Sequence, residues 1–439
     1  MVDNFDQILI SYKQPDFDKG LEKLRVSTLQ ATWFRDDSNR DKVKEIVEDI
    51  SKRGDGAVAK YTEEFDGVKL TPKQFRISEK ELKQAHDDID SELLDSVRKA
   101  IENVRRYQTE IFVGKSKNCS GNTGIKYSPI ERVGLCVPGA SAPLPSTVIM
   151  TAVPAQVAGV REIVVVSPPR YESSIHPVTL AVCYELGITE VYRIGGAQAV
   201  AALTFGDRRT GRIKVDKIVG PGNTWVQMAK REVFGIVDID SVAGPSEVLI
   251  IANDSANPAW VAADMLSQAE HAPGSAMLFT YSQKLAGEVL KELKKQVEQL
   301  VRAKETSESL RESSKIVVFK DIYDVVGYAN IFAAEHLEIQ CGEKSRQIAE
   351  QIENAGAIFI GDYSPVAVGD YWAGPSHTLP TGQTAKFFSA LSANDFIKST
   401  SIIEYDKDKL AESADDIIRL AQAEGLDAHA KSVKIRQQN

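Results

Sequence analysis

No apolar run of about eighteen residues occurs in the 439-residue chain, so nothing in it reads as a membrane span. Cysteine is sparse: Cys119, Cys136, Cys183 and Cys341 are scattered without a CxxC spacing. That excludes a cysteine zinc site and a disulfide frame, and it fits reduced thiols in a cytoplasmic protein. Basic charge is in deficit, with 53 Lys and Arg against 62 Asp and Glu and a net charge of −9. A nucleic acid or an anionic membrane needs a basic footprint, so neither is an expected partner. The start, MVDNFDQILISYKQPDFDKG, carries acids and has no apolar core of the signal-peptide kind. GxGxxG, GxxxxGK[ST] and HExxH are all missing, as are internal repeats and low-complexity tracts.

What is present is an α/β pattern. From residue 26 to about 117 the chain is polar and helix-rich. Beyond Arg132, short apolar runs expected as strands alternate with helix-period stretches. The runs are REIVVVSPP (161–169), EVYRIGG (190–196), KIVGPG (217–222), SEVLIIAN (246–253), SAMLFTYS (275–282) and AIFIGDYS (357–364). Helices are expected over 176–187 and 224–235, and a solvated helix face over 282–315. Strands alternating with helices imply mostly parallel sheets buried on both faces, here enough for two doubly wound domains. The stretch 408–439 reads as two appended helices broken at Gly425.

With only 6 histidines, where they stand is informative. His86, in an acidic helix, and His176, opening a helix, read as structural or solvent-facing. In NPAWVAADMLSQAEHAPG (257–274), Asn257 and Pro258 start a helix and Pro273-Gly274 stop it. Gln268 and His271 then share one face at its end, where they can hold a metal or simply hydrogen-bond. In NIFAAEHLEIQ (330–340), adjacent Glu335 and His336 suit general acid–base work, or form an exposed pair on a turn. The long aromatic-containing loop 361–382 offers Asp370 as an oxygen ligand and His377 as a substrate contact. Glu424 and His429 flank the break in the tail. Oxygen and imidazole donors without cysteine suit zinc. Three glycine turns, at Val137–Ser146, Gly195-Gly196 and Gly220-Pro221-Gly222, precede helix-like stretches where backbone N–H groups can face a pyrophosphate, or are plain tight turns.

The stretch KIVGPGNTWVQMAKREVFGIVDIDSVAGPSEVLIIAND (217–254) strongly resembles the signature region of histidinol dehydrogenases. The resemblance continues in order through SQAEHAPGSA, AAEHLEI, GDYSPVAVGDYWAGPSHTLPTG and AEGLDAHAKSVKIR, and covers residues 35 to 436. It implies two incomplete Rossmann-like doubly wound domains, with an N-terminal helical segment and a C-terminal helical extension. The corresponding bounds are 1–25 for the extension and 26–134 with 246–390 for a discontinuous α/β domain carrying the metal. A nested NAD-binding domain would span 135–245, and a tail reaching the partner subunit 391–439. The resemblance further implies a homodimer with shared active sites, one Zn2+ per subunit, and NAD. The zinc ligands would be Gln268, His271, Asp370 and the partner-supplied His429. His336 would be the general base, and Glu335 would activate water. Ser246, His377 and Glu424 would join the metal ligands and His336 around the substrate, with Gln198 and Asn223 at NAD. The implied reaction is four-electron oxidation of L-histidinol through L-histidinal to L-histidine, the last steps of histidine biosynthesis. The same machinery would also suit another small alcohol, such as a sulfonated or phosphonated diol; a zinc hydrolase that does without NAD is a third reading. Four residues depart from common family choices: Cys136 stands at a cofactor-contact position where many members carry Tyr, with Ala140, Ala272 and Ser376 beside other motif positions. Loss of the Tyr ring removes a stacking surface for the cofactor.

Overall fold

A computed structural model describes residues 5–33, 39–114, 117–118, 122–139, 143–206, 213–271 and 274–437. Cys119, Ala140, Ala272 and Pro273 therefore lie outside the described residues. The chain divides into two compact units, Met1–Phe112 with Ile130–Phe396, and Val113–Pro129 with Ile397–Asn439. Among the described residues no helix is long and apolar enough to cross a membrane.

The first unit holds two parallel sheets. One is built from β4 (Arg132–Cys136), β5 (Glu162–Val166), β6 (Glu190–Tyr192), β7 (Lys217–Val219) and β8 (Asp238–Ile239). Its order is β6-β5-β4-β7-β8, all neighbours parallel. This is the doubly wound Rossmann order short of its sixth strand, and the winding reverses between β4 and β7. The other sheet contains β1 (Leu9–Ser11), β9 (Ser246–Ala252), β10 (Gly274–Thr280), β11 (Lys315–Val318), β12 (His336–Gln340) and β13 (Ala357–Ile360). Its order, β1-β11-β10-β9-β12-β13, repeats the same winding with β1 added at one edge, and here the reversal falls between β9 and β12. Val248, Leu249, Ile250 and Ile251 of the central strand are all fully buried, because helices cover both faces.

All six expected strands are present, and the expected helices appear as Pro177–Glu185, capped by His176, and Thr224–Val233. The stretch 282–315 forms two helices, Gln283–Val297 and Ala303–Ser313, the first burying Leu285, Val289 and Leu293 beneath its charged face. Asn257 caps the helix Pro258–Ala269 through its side chain, as its sequence context suggests. That helix ends at Ala269, so His271 sits in the turn after it and not on its face. The loop 361–382 is less irregular than expected, since Val366–Tyr371 forms a short helix that carries Asp370.

In the second unit, β2 (Lys117–Asn118), β3 (Thr123–Pro129) and β14 (Ile397–Ile403) form an antiparallel sheet ordered β14-β3-β2. Two helices follow, Lys407–Ala423 and Asp427–Gln437, broken at Gly425 with φ +72°.

Candidate active site

Ala333 ends the helix Ile322–Phe332 in a left-handed conformation, φ 48°, and turns the chain so that Glu335 and His336 lead into β12. Both side chains are buried, which rules out the exposed-turn reading. A single residue of the neighbouring strand fixes the pair. The main-chain N–H of Glu247 donates to Glu335 Oε2 at 2.8 Å. His336 Nδ1 lies 3.0 Å from the Glu247 carbonyl, which can only accept, so Nδ1 carries the proton. The opposite nitrogen, Nε2, is then the basic one in the neutral ring. Among the described residues it has no hydrogen-bond partner, and it stands 3.5 Å from Asp370 Oδ1, an electrostatic contact.

These groups perturb one another. Burial pushes Glu335 up to about 7, against the opposing pull of His336. Burial acts downward on His336, but Glu335, Asp370 and the Glu247 carbonyl together outweigh it and bring it up to about 9. Glu247, buried beside Glu335, is pushed up to about 8, first by desolvation and then by the neighbouring carboxylate. Perturbed titrating groups in mutual contact mark a site where proton transfer can occur near neutral pH.

The metal-ligand candidates gather beside this pair in part. Asp370 is held low chiefly by His336, against the desolvation that would raise it, with His377 and His271 also contributing. Gln268 is 3% exposed, and its Nε2 has no hydrogen-bond partner among the described residues. A half-turn of that amide presents its oxygen instead. Carboxamide oxygen, imidazole nitrogen and carboxylate form a mixed donor set that fits zinc. Among the described residues, no three His, Cys, Asp or Glu side chains are grouped closely enough to hold an ion by themselves, so the fit depends on the Gln268 amide. His429 and Glu424 belong to the second unit, where both are exposed.

Two cavities meet at Pro221, Gly222, Asn223 and His271. The smaller, about 370 Å³, is lined by Glu335, His271, Ser246 and His377. His377 is held below its usual range by burial, against the opposing pull of Asp370, and its Nε2 lies 3.4 Å from Thr147 Oγ1. Ser376 does not face this cavity with a free hydroxyl: its Oγ donates to the Met150 carbonyl at 2.9 Å. The larger cavity, about 800 Å³, contains Cys136 through Gly139, Gly195, Gly196 and Gln198. It opens at the carboxyl ends of β4 and β7, the switch point where doubly wound sheets bind ligands. The helices Gly196–Phe205 and Thr224–Val233 begin there, and the second is capped by Asn223. Cys136 is buried and pushed up to about 12 by desolvation, so its thiol is inert.

Sequence reasoning missed several residues that shape the site. Lys230 is buried and ion-paired with Asp240, and it donates to the Gly220 carbonyl at 3.1 Å. Asp240 in turn accepts from Gly220 N at 2.7 Å. A lysine inside the apolar stripe Val226–Ala229–Val233 is a readable signal for such a buried pair. Glu247, the lone charge in an apolar strand, is another.

The family model for histidinol dehydrogenase matches residues 31–437. A histidinol dehydrogenase of Heliobacterium mobile is 45% identical over 433 residues, which cover 98% of this chain and 99% of that protein. One from Rhodopirellula baltica is 46% identical over 398 residues, covering 90% of this chain and 86% of its own. The crystal structure of histidinol dehydrogenase from Elizabethkingia anophelis superposes with a TM-score of 0.89 at 33% identity, over 98% of each chain.

Proposed function

The chain belongs to the histidinol dehydrogenase family, and we propose that it oxidises L-histidinol through L-histidinal to L-histidine at the cavity beside Glu335 and His336, using two NAD and one zinc ion per subunit. The observation that carries this reading is the clamping of both side chains by Glu247, which leaves His336 Nε2 as a positioned base. Converting an alcohol to a carboxylate removes two hydrides, consumes one water and releases protons. NAD, when bound, accepts the hydride of each step. His336 Nε2 takes the hydroxyl proton in the first step and cycles again in the second. A cation held by Asp370 would offset one of the pulls that raise His336. Glu335, once ionised, accepts a proton from the water that adds to the aldehyde.

Gln268, His271 and Asp370 would hold the zinc, which would serve to orient the substrate's imidazole and amine. His429 as fourth ligand and Glu424 as a substrate contact, each supplied by the partner subunit of a homodimer, complete the proposal. Ser246 and His377 are its substrate contacts within the smaller cavity. Gln198, Asn223 and the backbone around Cys136 would receive the dinucleotide in the larger cavity, with two helix N-termini toward its pyrophosphate.

The test is NADH formation from zinc-loaded protein and L-histidinol, counted to completion. Two NADH per histidinol, abolished by a chelator and restored by zinc, is the expected result. No NADH from histidinol with zinc and NAD both bound would overturn the substrate assignment.

A further inference from the structure

Asp66 closes the helix Asp55–Asp66, and its side chain, 3% exposed, reaches the wall of the larger cavity. Arg170 Nε donates to its Oδ1 at 2.8 Å, and Gln198 Nε2 donates to its Oδ2 at 3.2 Å. Arg170 also donates to the Phe65 carbonyl at 3.2 Å, and both residues line the same cavity. The rings of Phe65 and Trp225, 5.9 Å apart, form an aromatic part of that wall. A carboxylate has about four lone-pair positions, so two donors leave acceptor capacity on an acid that lines the cavity. Arg170, by contrast, already commits its Nε to Asp66 and its Nη2 to the Phe65 carbonyl.

We propose that Asp66 sets the dinucleotide specificity of this cavity, accepting hydrogen bonds from a ribose diol and excluding a ribose phosphate while it holds Arg170 in check. The inference rests on the reading of the larger cavity as the dinucleotide site. The chemistry is that of any acid placed at a ribose: its oxygens complement two hydroxyls and repel a dianionic phosphate. Here the acid comes from a helix that precedes the five-stranded sheet in the chain, and not from the end of that sheet's second strand. Removing the charge at Asp66 would also release a guanidinium able to grip phosphate bidentately. One substitution would therefore work in two ways at once.

The experiment is direct binding of NAD and NADP to the whole protein by calorimetry, with Trp225 fluorescence reporting occupancy of this cavity. The unmodified protein should bind NAD about tenfold or more tighter than NADP. Asp66→Asn should erase or invert that ratio, and adding Arg170→Gln to it should remove the gained NADP affinity. Arg170→Gln alone, which leaves the acid in place, should widen the preference for NAD, and it keeps the test open if Asp66→Asn does not fold. Quenching by NAD that is lost in Trp225→Phe locates the ligand. Heat of binding with no Trp225 response would overturn the cavity assignment itself. A Trp225 response with an NAD to NADP ratio unmoved by Asp66→Asn and Arg170→Gln would overturn the specificity role alone.

Discussion

His336 and Glu247 are joined ring to main chain: Nδ1 donates to the Glu247 carbonyl at 3.0 Å across parallel strands β12 and β9, between residues 89 apart in sequence. The N–H of the same residue 247 holds the Glu335 carboxylate. The orientation of both titrating side chains thus depends on strand register, and the tautomer of the imidazole is set by a backbone carbonyl whose position the sheet fixes. This arrangement predicts which substitutions separate the two half-reactions.

His336→Asn removes the base while its amide can still reach the Glu247 carbonyl. The rate of histidinol oxidation and that of histidinal oxidation should each fall about 10²- to 10⁴-fold. Glu335→Gln should depress mainly the histidinal step, assayed separately by single-turnover NADH formation. An equal loss in both steps for Glu335→Gln would sink this division of labour. Because burial brings Glu335 up to about 7, the histidinal step of the unmodified protein should rise as pH increases through that value.

Glu247 has a second consequence, for stability. Its folded pKa of about 8 lies above the ordinary carboxylate value of 4.5, so the native state binds more protons between those limits. Stability contributed by this group therefore falls as pH rises through that window. His336, raised from 6.5 to about 9, adds a loss over the upper part of the range. Glu247→Gln keeps an acceptor for the Gly382 N–H and carries no charge at any pH. It should flatten the decline and gain on the order of 1 kcal/mol at pH 8. Denaturant melts at pH 5 and pH 8 check this, and identical slopes in both proteins would contradict it.

Lys230 and Asp240 form a buried ion pair that grips both sides of Gly220, the first glycine of the turn between the two cavities. Lys230→Met leaves the Asp240 charge uncompensated, at a cost of about 3–5 kcal/mol. The turn would lose its anchor as well, so NAD affinity should weaken in whatever protein remains folded. Calorimetric titration of the variant against NAD tests this; unchanged affinity would show that the turn holds its shape without the lysine.

Gly274 opens β10 directly beneath the end of the helix that carries Gln268. A Cβ there would stand 2.2 Å from the Gln268 carbonyl oxygen and 3.5 Å from the His271 Cβ. Gly274→Ala must displace the Gln268 main chain, while its contact with the His271 Cβ stays an ordinary one, and zinc affinity should drop about tenfold or more. Competition with a chromophoric chelator gives the number. Zinc held as tightly as by the unmodified protein would remove Gln268 from the ligand set.

Much of this was open to reading along the chain. The alternation of apolar runs with helix-period stretches specified parallel α/β layers, because strand and helix periodicities are local properties of side-chain spacing. The cap at Asn257, the break at Gly425 and the suspicious adjacency of Glu335 and His336 are equally local. The limits of locality show at His271, which lies two residues past the helix expected to carry it, and at Asp370, which rides a short helix inside an expected loop.

Tertiary structure decided what the groups can do. The candidate residues Ser246, Glu335 and His336 stand at the amino ends of β9 and β12, whereas the larger cavity opens at the carboxyl ends of β4 and β7. No periodicity announces that the start of one sheet will adjoin the end of another. The Glu247 clamp, the Lys230–Asp240 pair and the Asp66–Arg170 contact join residues separated by 10 to 104 positions. Each lone charge in an apolar stretch could be noticed in the sequence, but its partner could not, since burial makes a partner obligatory and only packing determines which one arrives.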